Sequence, residues 1–219
     1  MKFDIKIISD TVCPWCYVGK RRLEAGIAAY KSAHPNSDDV FTVSWYPFYL
    51  DPTAPMTGES KAGRYIRKFG EARWPQIQKT LSDAGRESGI EFKFGGQTGH
   101  TRESHRLIRF AGRTGGPELQ NKVVDELFRR YFEQEQDITA RATVQGAAEA
   151  AGLDAAEVAR YLDSEEGIAE VEGEVARAQQ LGVSGVPNIR INGQFEAPGA
   201  VDADVFKQIF EKLAERAQQ

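Results

Sequence analysis

Cysteine is scarce in this chain: two residues in 219, alongside two methionines, three histidines and three tryptophans. A lone pair cannot build the multi-bridge framework of small secreted domains, and a chain this long does not need one. A structural zinc site takes about four ligands. Only His34, His100 and His105 could add nitrogen donors, and His100 and His105 lack the i, i+4 spacing of a helical ligand pair. No metal site is therefore expected. No apolar run approaches the roughly 18 residues of a membrane-spanning helix. Neither charge sign dominates: 28 Lys and Arg stand against 32 Asp and Glu, a net charge of −4 that argues against nucleic acid as the main partner. The chain enters an alternating apolar run at once, without the charged and long apolar regions of a signal peptide. A cytoplasmic protein is expected, since an isolated, non-structural cysteine pair suits a reducing compartment. There is no internal repeat and no low-complexity segment.

The two cysteines that are present fall together, as Cys13-Pro14-Trp15-Cys16. Phe3–Ile8 before them reads as a strand, alternating and then doubly apolar. Gly19–Tyr30 after them carries apolar residues near helical spacing, so the dithiol sits where a strand ends and a helix begins. Pro14 suits the first helical turn, where its missing N–H costs nothing. That turn leaves unpaired N–H groups and a partial positive charge, which favour an anion just ahead of it. Cys13 is the expected nucleophile and Cys16, three residues on, the expected resolving thiol. Redox chemistry is the reading favoured for Cys-x-x-Cys near a β-α pattern.

Val40–Leu50 is aromatic and β-branched, a strand until Pro47. Strand, helix and strand then form a right-handed parallel βαβ unit by default. From Asp51, Pro52, Pro55 and Gly58 make a linker, and the pattern turns helical: Ser60–Phe69, Trp74–Ser88, Arg102–Arg113, Pro117–Gln134, Ala140–Ala151 and Ala155–Leu162. The interrupting loop Gly95–Gly99 lacks the lysine and hydroxyl of a phosphate-binding loop. Arg102, Arg106, Arg109 and Arg113 line one helix face, either as a solvated surface beside a buried stripe of Leu107, Ile108 and Phe110 or as a basic wall guiding an acidic substrate or glutathione. Glu165–Gln180 reads as a polar helix, Asn188–Asn192 and Gln194–Ala197 as an antiparallel hairpin around Gly193. Asp202–Arg216 reads as an amphipathic helix, with Val205, Phe206, Ile209, Phe210 and Leu213 as its apolar face and Asp202 as its N-cap. The expected fold class is α/β: a thioredoxin-like fold, residues 1–55 and 170–219, with a large all-helical domain inserted in its middle at 56–169.

Val186-Pro187 follows a glycine-rich turn and immediately precedes a strand, where proline is tolerated. Sequence alone leaves the isomer of that bond open. Asp10 reads equally as a turn residue and as a group tuning the cysteine pair.

Cys13-Pro14-Trp15-Cys16-Tyr17-Val18-Gly19, Ser104-His105-Arg106-Leu107 and Gly182-Val183-Ser184-Gly185-Val186-Pro187 together resemble the DsbA-like thioredoxin family, in its FrnE-like, 2-hydroxychromene-2-carboxylate isomerase-related branch. The resemblance spans essentially the whole chain. It implies that Pro187 is a cis-proline facing the dithiol, and that the Val186 backbone pairs with a bound peptide or glutathione. It also implies a glutathione carboxylate site at Ala200, Val201 and Asp202, to be set against Asp202 simply capping its helix. Relatives acting as isomerases or kappa-class glutathione transferases carry serine for one or both cysteines. Here both are present, so the resemblance implies a DsbA-like protein disulfide oxidoreductase, acting on protein or small-molecule disulfides and dithiols, and Pro14 and Trp15 between the thiols are expected to tune the pair. His100-Thr101, where relatives often have an asparagine-led pair, departs from the isomerase pattern.

The implied partners are disulfide- or thiol-containing proteins and peptides, with glutathione as a candidate co-substrate, no tightly bound cofactor, and a monomer or homodimer. Two other readings stay open: a glutathione-dependent isomerase or transferase acting on an aromatic small molecule, and a chaperone-like binding module.

Overall fold

The computed structural model describes residues 1–217. β1 (Lys2–Ser9) alternates exposed and buried residues until Ile7, then stays buried to Ser9. α1 (Pro14–Ala33) follows with Cys13 at its N-cap and Pro14 in its first turn. β2 (Val40–Pro47) lies parallel to β1, from the Lys2–Val40 pair to the Ser9–Pro47 pair. Near the far end of the chain, β5 (Asn188–Ile191) runs antiparallel to β1, and β6 (Phe195–Pro198) antiparallel to β5. The sheet order is β2-β1-β5-β6. α8 (Ala203–Ala217) closes the chain against α1. The expected βαβ and terminal hairpin-helix are therefore present as one sheet, and the mixed α/β, thioredoxin-like class holds.

Between β2 and β5 stands the helical insertion: α2 (Lys61–Phe69), α3 (Trp74–Glu87), α4 (Arg102–Phe128), α5 (Arg141–Ala151), α6 (Ala155–Asp163) and α7 (Ile168–Gln180). α4 joins the two helices expected on either side of residue 115. Gly115 and Gly116 leave helical geometry, Gly116 at φ 69°, and Pro117 restarts the helix. The last turn, Arg129–Glu133, widens to a π-helix. Two short strands within the stretches expected to be helix and loop were not anticipated: β3 (Glu59–Ser60) pairs antiparallel with β4 (Gln97–Thr98). Two residues are too few for a period-two pattern to be legible.

β2 is an edge strand, and an exposed edge invites association. α4 closes it. Gln120 accepts from Trp45 N–H at 2.9 Å and donates to the Trp45 carbonyl at 3.1 Å, a side-chain imitation of a strand. Asn121 donates to the Val43 carbonyl at 3.0 Å. One hydrophobic core runs without a break from β1 and α1 into α4 and α5, joining Ile5, Tyr17 and Trp45 to Leu107, Phe128 and Val144. α8 buries Phe206, Ile209, Phe210 and Leu213 as expected, but Val205 is 40% exposed and lies outside the apolar face.

Candidate active site

Strand β1 ends at Ser9, and the Asp10 carbonyl accepts from the Cys13 N–H at 3.0 Å, turning the chain into α1. This turn is gripped from the insertion. Thr11 Oγ1 and Ser104 Oγ of α4 lie 2.7 Å apart, both buried. The Leu50 N–H donates to Asp10 Oδ2 at 2.8 Å. His105 Nε2 is 3.4 Å from Asp10 Oδ1 and 3.2 Å from the Phe48 carbonyl. Asp10 Oδ1 has no hydrogen-bond partner among the described residues.

Both cysteines are free thiols and both are buried, Cys16 completely and Cys13 to 4% exposure. They differ in what they face. Cys13 forms part of the wall of a cavity of about 820 Å3 between the sheet end and the insertion, whereas Cys16, fully buried, is not among the residues that line it. Cys13 Sγ donates to the Val186 carbonyl at 3.4 Å. Burial pushes the Cys16 thiol well up, reinforced by its hydrogen bond to Cys13 and the Cys13 charge, and opposed by the Ser9 side chain and the Asp10 backbone. Of the flanking residues, Trp15 is exposed and Pro14 half-buried, and both line the cavity.

The Val186–Pro187 peptide is cis. Val186 lines the cavity opposite α1, and the Pro187 carbonyl accepts from the Gly199 N–H at 2.8 Å. The proline lies so close to α1 that a Cβ on Gly19 would stand 3.0 Å from Pro187 Cγ and 3.5 Å from Ala200 Cβ. Ala200, Val201 and Asp202 thus lie behind the proline and are not among the residues lining the cavity. Arg22 Nη1 donates to the Ala200 carbonyl at 2.7 Å and lies 2.9 Å from Asp202 Oδ1.

The arginine row of α4 is mixed: Arg113 lies on a solvated face as expected and Arg102 is partly exposed, whereas Arg106 is turned into the protein. Arg106 is buried and donates to the carbonyls of Tyr161, Ser164 and Glu166 at 2.7–3.0 Å, while Arg109 pairs with Glu174 and Arg113 with Glu166. Arg106 and Arg113 tie α4 to the end of α6 and the turn that follows it, and Arg109 ties α4 to α7 itself. His100 stacks edge-on against Tyr49 at 4.6 Å, and burial, then Arg102, hold its imidazole below the ordinary range. Among the described residues no group of three or more His, Cys, Asp and Glu is placed to hold a metal ion. Among the described residues no helix is long and apolar enough to cross a membrane.

The DSBA-like thioredoxin domain matches residues 4–211. The chain belongs to this family. A curated relative from Bacillus subtilis (strain 168), the uncharacterized protein YwbO, is 28% identical over 218 residues, covering 95% of this chain and 96% of that protein. The probable DsbA oxidoreductase SCO1869 from Streptomyces coelicolor superposes with a TM-score of 0.84 at 27% identity, over 96% of this chain and 89% of that one. A 2-hydroxychromene-2-carboxylate isomerase shares the fold, with a TM-score of 0.67 at 14% identity over 99% and 97% of the two chains. The DSBA-like domain therefore includes the helical insertion.

Several residues of this DSBA-like site escaped sequence reasoning. Lys61, Tyr65 and Tyr131 line the same cavity as Cys13, yet they come from two parts of the insertion. Lys61 is 1% exposed. Its position as the first residue of an ordinary polar helix gave no sign of burial. Ser9, at the end of β1, was likewise silent.

Proposed function

We propose that this protein is a thiol–disulfide oxidoreductase whose redox pair is Cys13 and Cys16. The observation that carries the reading is the asymmetry of the two thiols: one on the wall of a cavity, the other sealed beneath it with its proton held by burial. In the reducing direction the Cys13 thiolate attacks one sulfur of a substrate disulfide. That bond breaks, the departing thiolate takes a proton from solvent, and a mixed disulfide joins substrate to Cys13. Cys16 then loses its proton and attacks Cys13 Sγ, releasing the second substrate thiolate; two electrons have passed from the dithiol to the substrate. The oxidising direction is the same sequence reversed.

A raised thiol suits the resolving role, because Cys16 stays protonated and inert until the mixed disulfide lies against it. The Val186 main chain fits as the contact for an extended peptide or for glutathione, needing no particular side chain. Pro14 and Trp15, between the thiols, fit as the residues that set the poise. Glutathione suits the cavity as co-substrate.

Cys13→Ser is expected to abolish disulfide turnover, and Cys16→Ser to accumulate mixed disulfides visible as mass adducts. Full activity in Cys13→Ser would overturn the chemistry. Equilibration in glutathione buffers, with alkylation trapping, gives the direction. A transition near about −120 mV marks an oxidant and one near about −270 mV a reductant. Absence of any Cys13–Cys16 disulfide at every poise would favour the glutathione-dependent isomerase or transferase reading.

A further inference from the structure

The cavity wall facing Cys13 carries a positive charge that the fold does not neutralise. Lys61 opens α2, and its side chain is buried. Lys61 Nζ donates to the Tyr131 carbonyl at 3.0 Å and to the Lys93 carbonyl at 3.3 Å, and lies 4.3 Å from the centre of the Tyr131 ring. Of the three donors of an ammonium two reach carbonyls, and beyond them the charge meets only the Tyr131 ring and, at 6.0 Å, the Phe132 ring, neither of which carries a countercharge. No carboxylate lies within ion-pairing distance of it among the described residues; Glu135 acts on it only from further away. A buried cation without a partner is costly, and most buried lysines are paired.

The rest of the lining repeats the sign. Arg64, Arg67 and Lys68 of α2 stand with Lys61 against two acidic side chains, Asp10 and Asp51. Arg64 is taken up by Asp51 and Glu59, and Arg67 by Glu59. Lys68 stands over the Phe69 ring at 5.5 Å and makes no ion pair among the described residues. Two cations thus remain for an incoming group, one deep and one at the exposed edge, on the first and last turns of one helix. Between them the wall is apolar and aromatic, with Tyr65, Phe69, Ile77 and Leu81. The cavity has the size of a small-ligand site, typically about 300–1,000 Å3.

We infer that the cavity selects small disulfides and thiols bearing a carboxylate, held by Lys61 with Lys68 drawing the anion in, while the sulfur is presented to Cys13. This deepens and rests on the thiol–disulfide reading, and it places the anion on the insertion rather than on the Ala200–Asp202 segment, which does not line the cavity. The cation raises the local concentration of an anionic reagent and holds it in position.

An isosteric pair of reagents isolates the charge. In the Cys16→Ser background, Cys13 is alkylated by iodoacetate, which carries a carboxylate, and by iodoacetamide, which does not; iodide leaves in both cases. The ratio of the two rates is expected to fall about tenfold in Lys61→Met, the size of one charged hydrogen bond, with the iodoacetamide rate changed less than about twofold on the same grounds. Lys68→Gln, at an exposed position, should lower the ratio in the same direction by a smaller factor, and serves if Lys61→Met does not fold. A ratio unmoved in both variants, or equal slowing of both reagents, overturns the inference. Single-turnover reduction of the dicarboxylate disulfide 5,5′-dithiobis(2-nitrobenzoate) and of neutral 4,4′-dithiodipyridine by the pre-reduced wild-type protein, each giving one Cys13–Cys16 disulfide and two released aryl thiols, is measured beside it. Failure of the wild-type protein to reduce either disulfide sinks the oxidoreductase reading, while the alkylation ratio still judges the anion site.

Discussion

Two residues show how burial decides chemistry here, and they pull stability in opposite directions with pH. Burial holds the Lys61 ammonium down to about 8, from an ordinary 10.5. In the unfolded chain Lys61 keeps its proton to the higher value, so between about pH 8 and about pH 10.5 the unfolded state binds more protons and stability rises with pH. Below that window the full penalty of burying the charge is present. Cys16 has its thiol raised above the ordinary 9.0. Its contribution is complete below that value and is lost as pH rises toward its folded value, because the unfolded thiol ionises first. Lys61→Met removes only the first of these effects. Denaturant midpoints at about pH 7 and about pH 9.5 are expected to favour the variant, relative to wild type, more at the lower pH than at the higher. Equal differences at both pH values would mean that Lys61 does not titrate in this range.

Among the elements, α1 and α4 do the positioning. α1 brings Cys13 to the cavity and must pass within van der Waals contact of the proline loop, which is why position 19 has no side chain. Gly19→Ala would force the Pro187 ring back by a few tenths of an ångström. The expected result is a loss of about 1–3 kcal/mol, the cost of an overpacked site, together with slower reaction at Cys13; thermal unfolding and alkylation rate measure the two. α4 closes the β2 edge through Gln120. Gln120→Ala leaves the Trp45 N–H and carbonyl without that partner, at an expected cost of about 1–3 kcal/mol. Faster amide exchange confined to β2 in that variant would confirm the edge-capping role, and unchanged exchange there would refute it.

For the molecule as a whole, the insertion and the thioredoxin-like part share one core and one site. The α6–α7 turn, which leads back toward β5, hangs on the buried Arg106 guanidinium by three carbonyl groups. Arg106→Met is expected to cost about 2–3 kcal/mol, since the buried Tyr161 carbonyl and the part-buried Ser164 and Glu166 carbonyls lose their charged donor, and to lower the melting temperature without selectively changing the iodoacetate-to-iodoacetamide ratio. A selective change of that ratio would show that Arg106 reaches the cavity after all. Lys20 works in the same manner between α1 and α4: it is buried, pairs with Glu24 and lies 2.9 Å from Asp125.

The order of elements, the two-part sheet and the placing of Cys13 and Cys16 at a strand-to-helix junction were legible from local chemistry. Alternation, a proline at a first helical turn, glycine breaks and an isolated Cys-x-x-Cys each act over a few residues. The arginine row shows where that legibility ends. Periodicity placed Arg102, Arg106, Arg109 and Arg113 on one face, but whether that face met solvent, substrate or protein depended on where α6 and α7 return, dozens of residues later. The same holds for Lys61, whose burial is set by Tyr131 and Lys93, and for Gln120, whose partner is a strand 75 residues away. Sequence by itself determined the class of fold and the place of the cysteine pair at the strand-to-helix junction, because covalent spacing and hydrophobic period are local. Only the tertiary structure decided which thiol faces the cavity, which cation is left unpaired beside it, and which charges are consumed in holding the molecule together, because desolvation and ion pairing are fixed by neighbours that chain folding brings from afar.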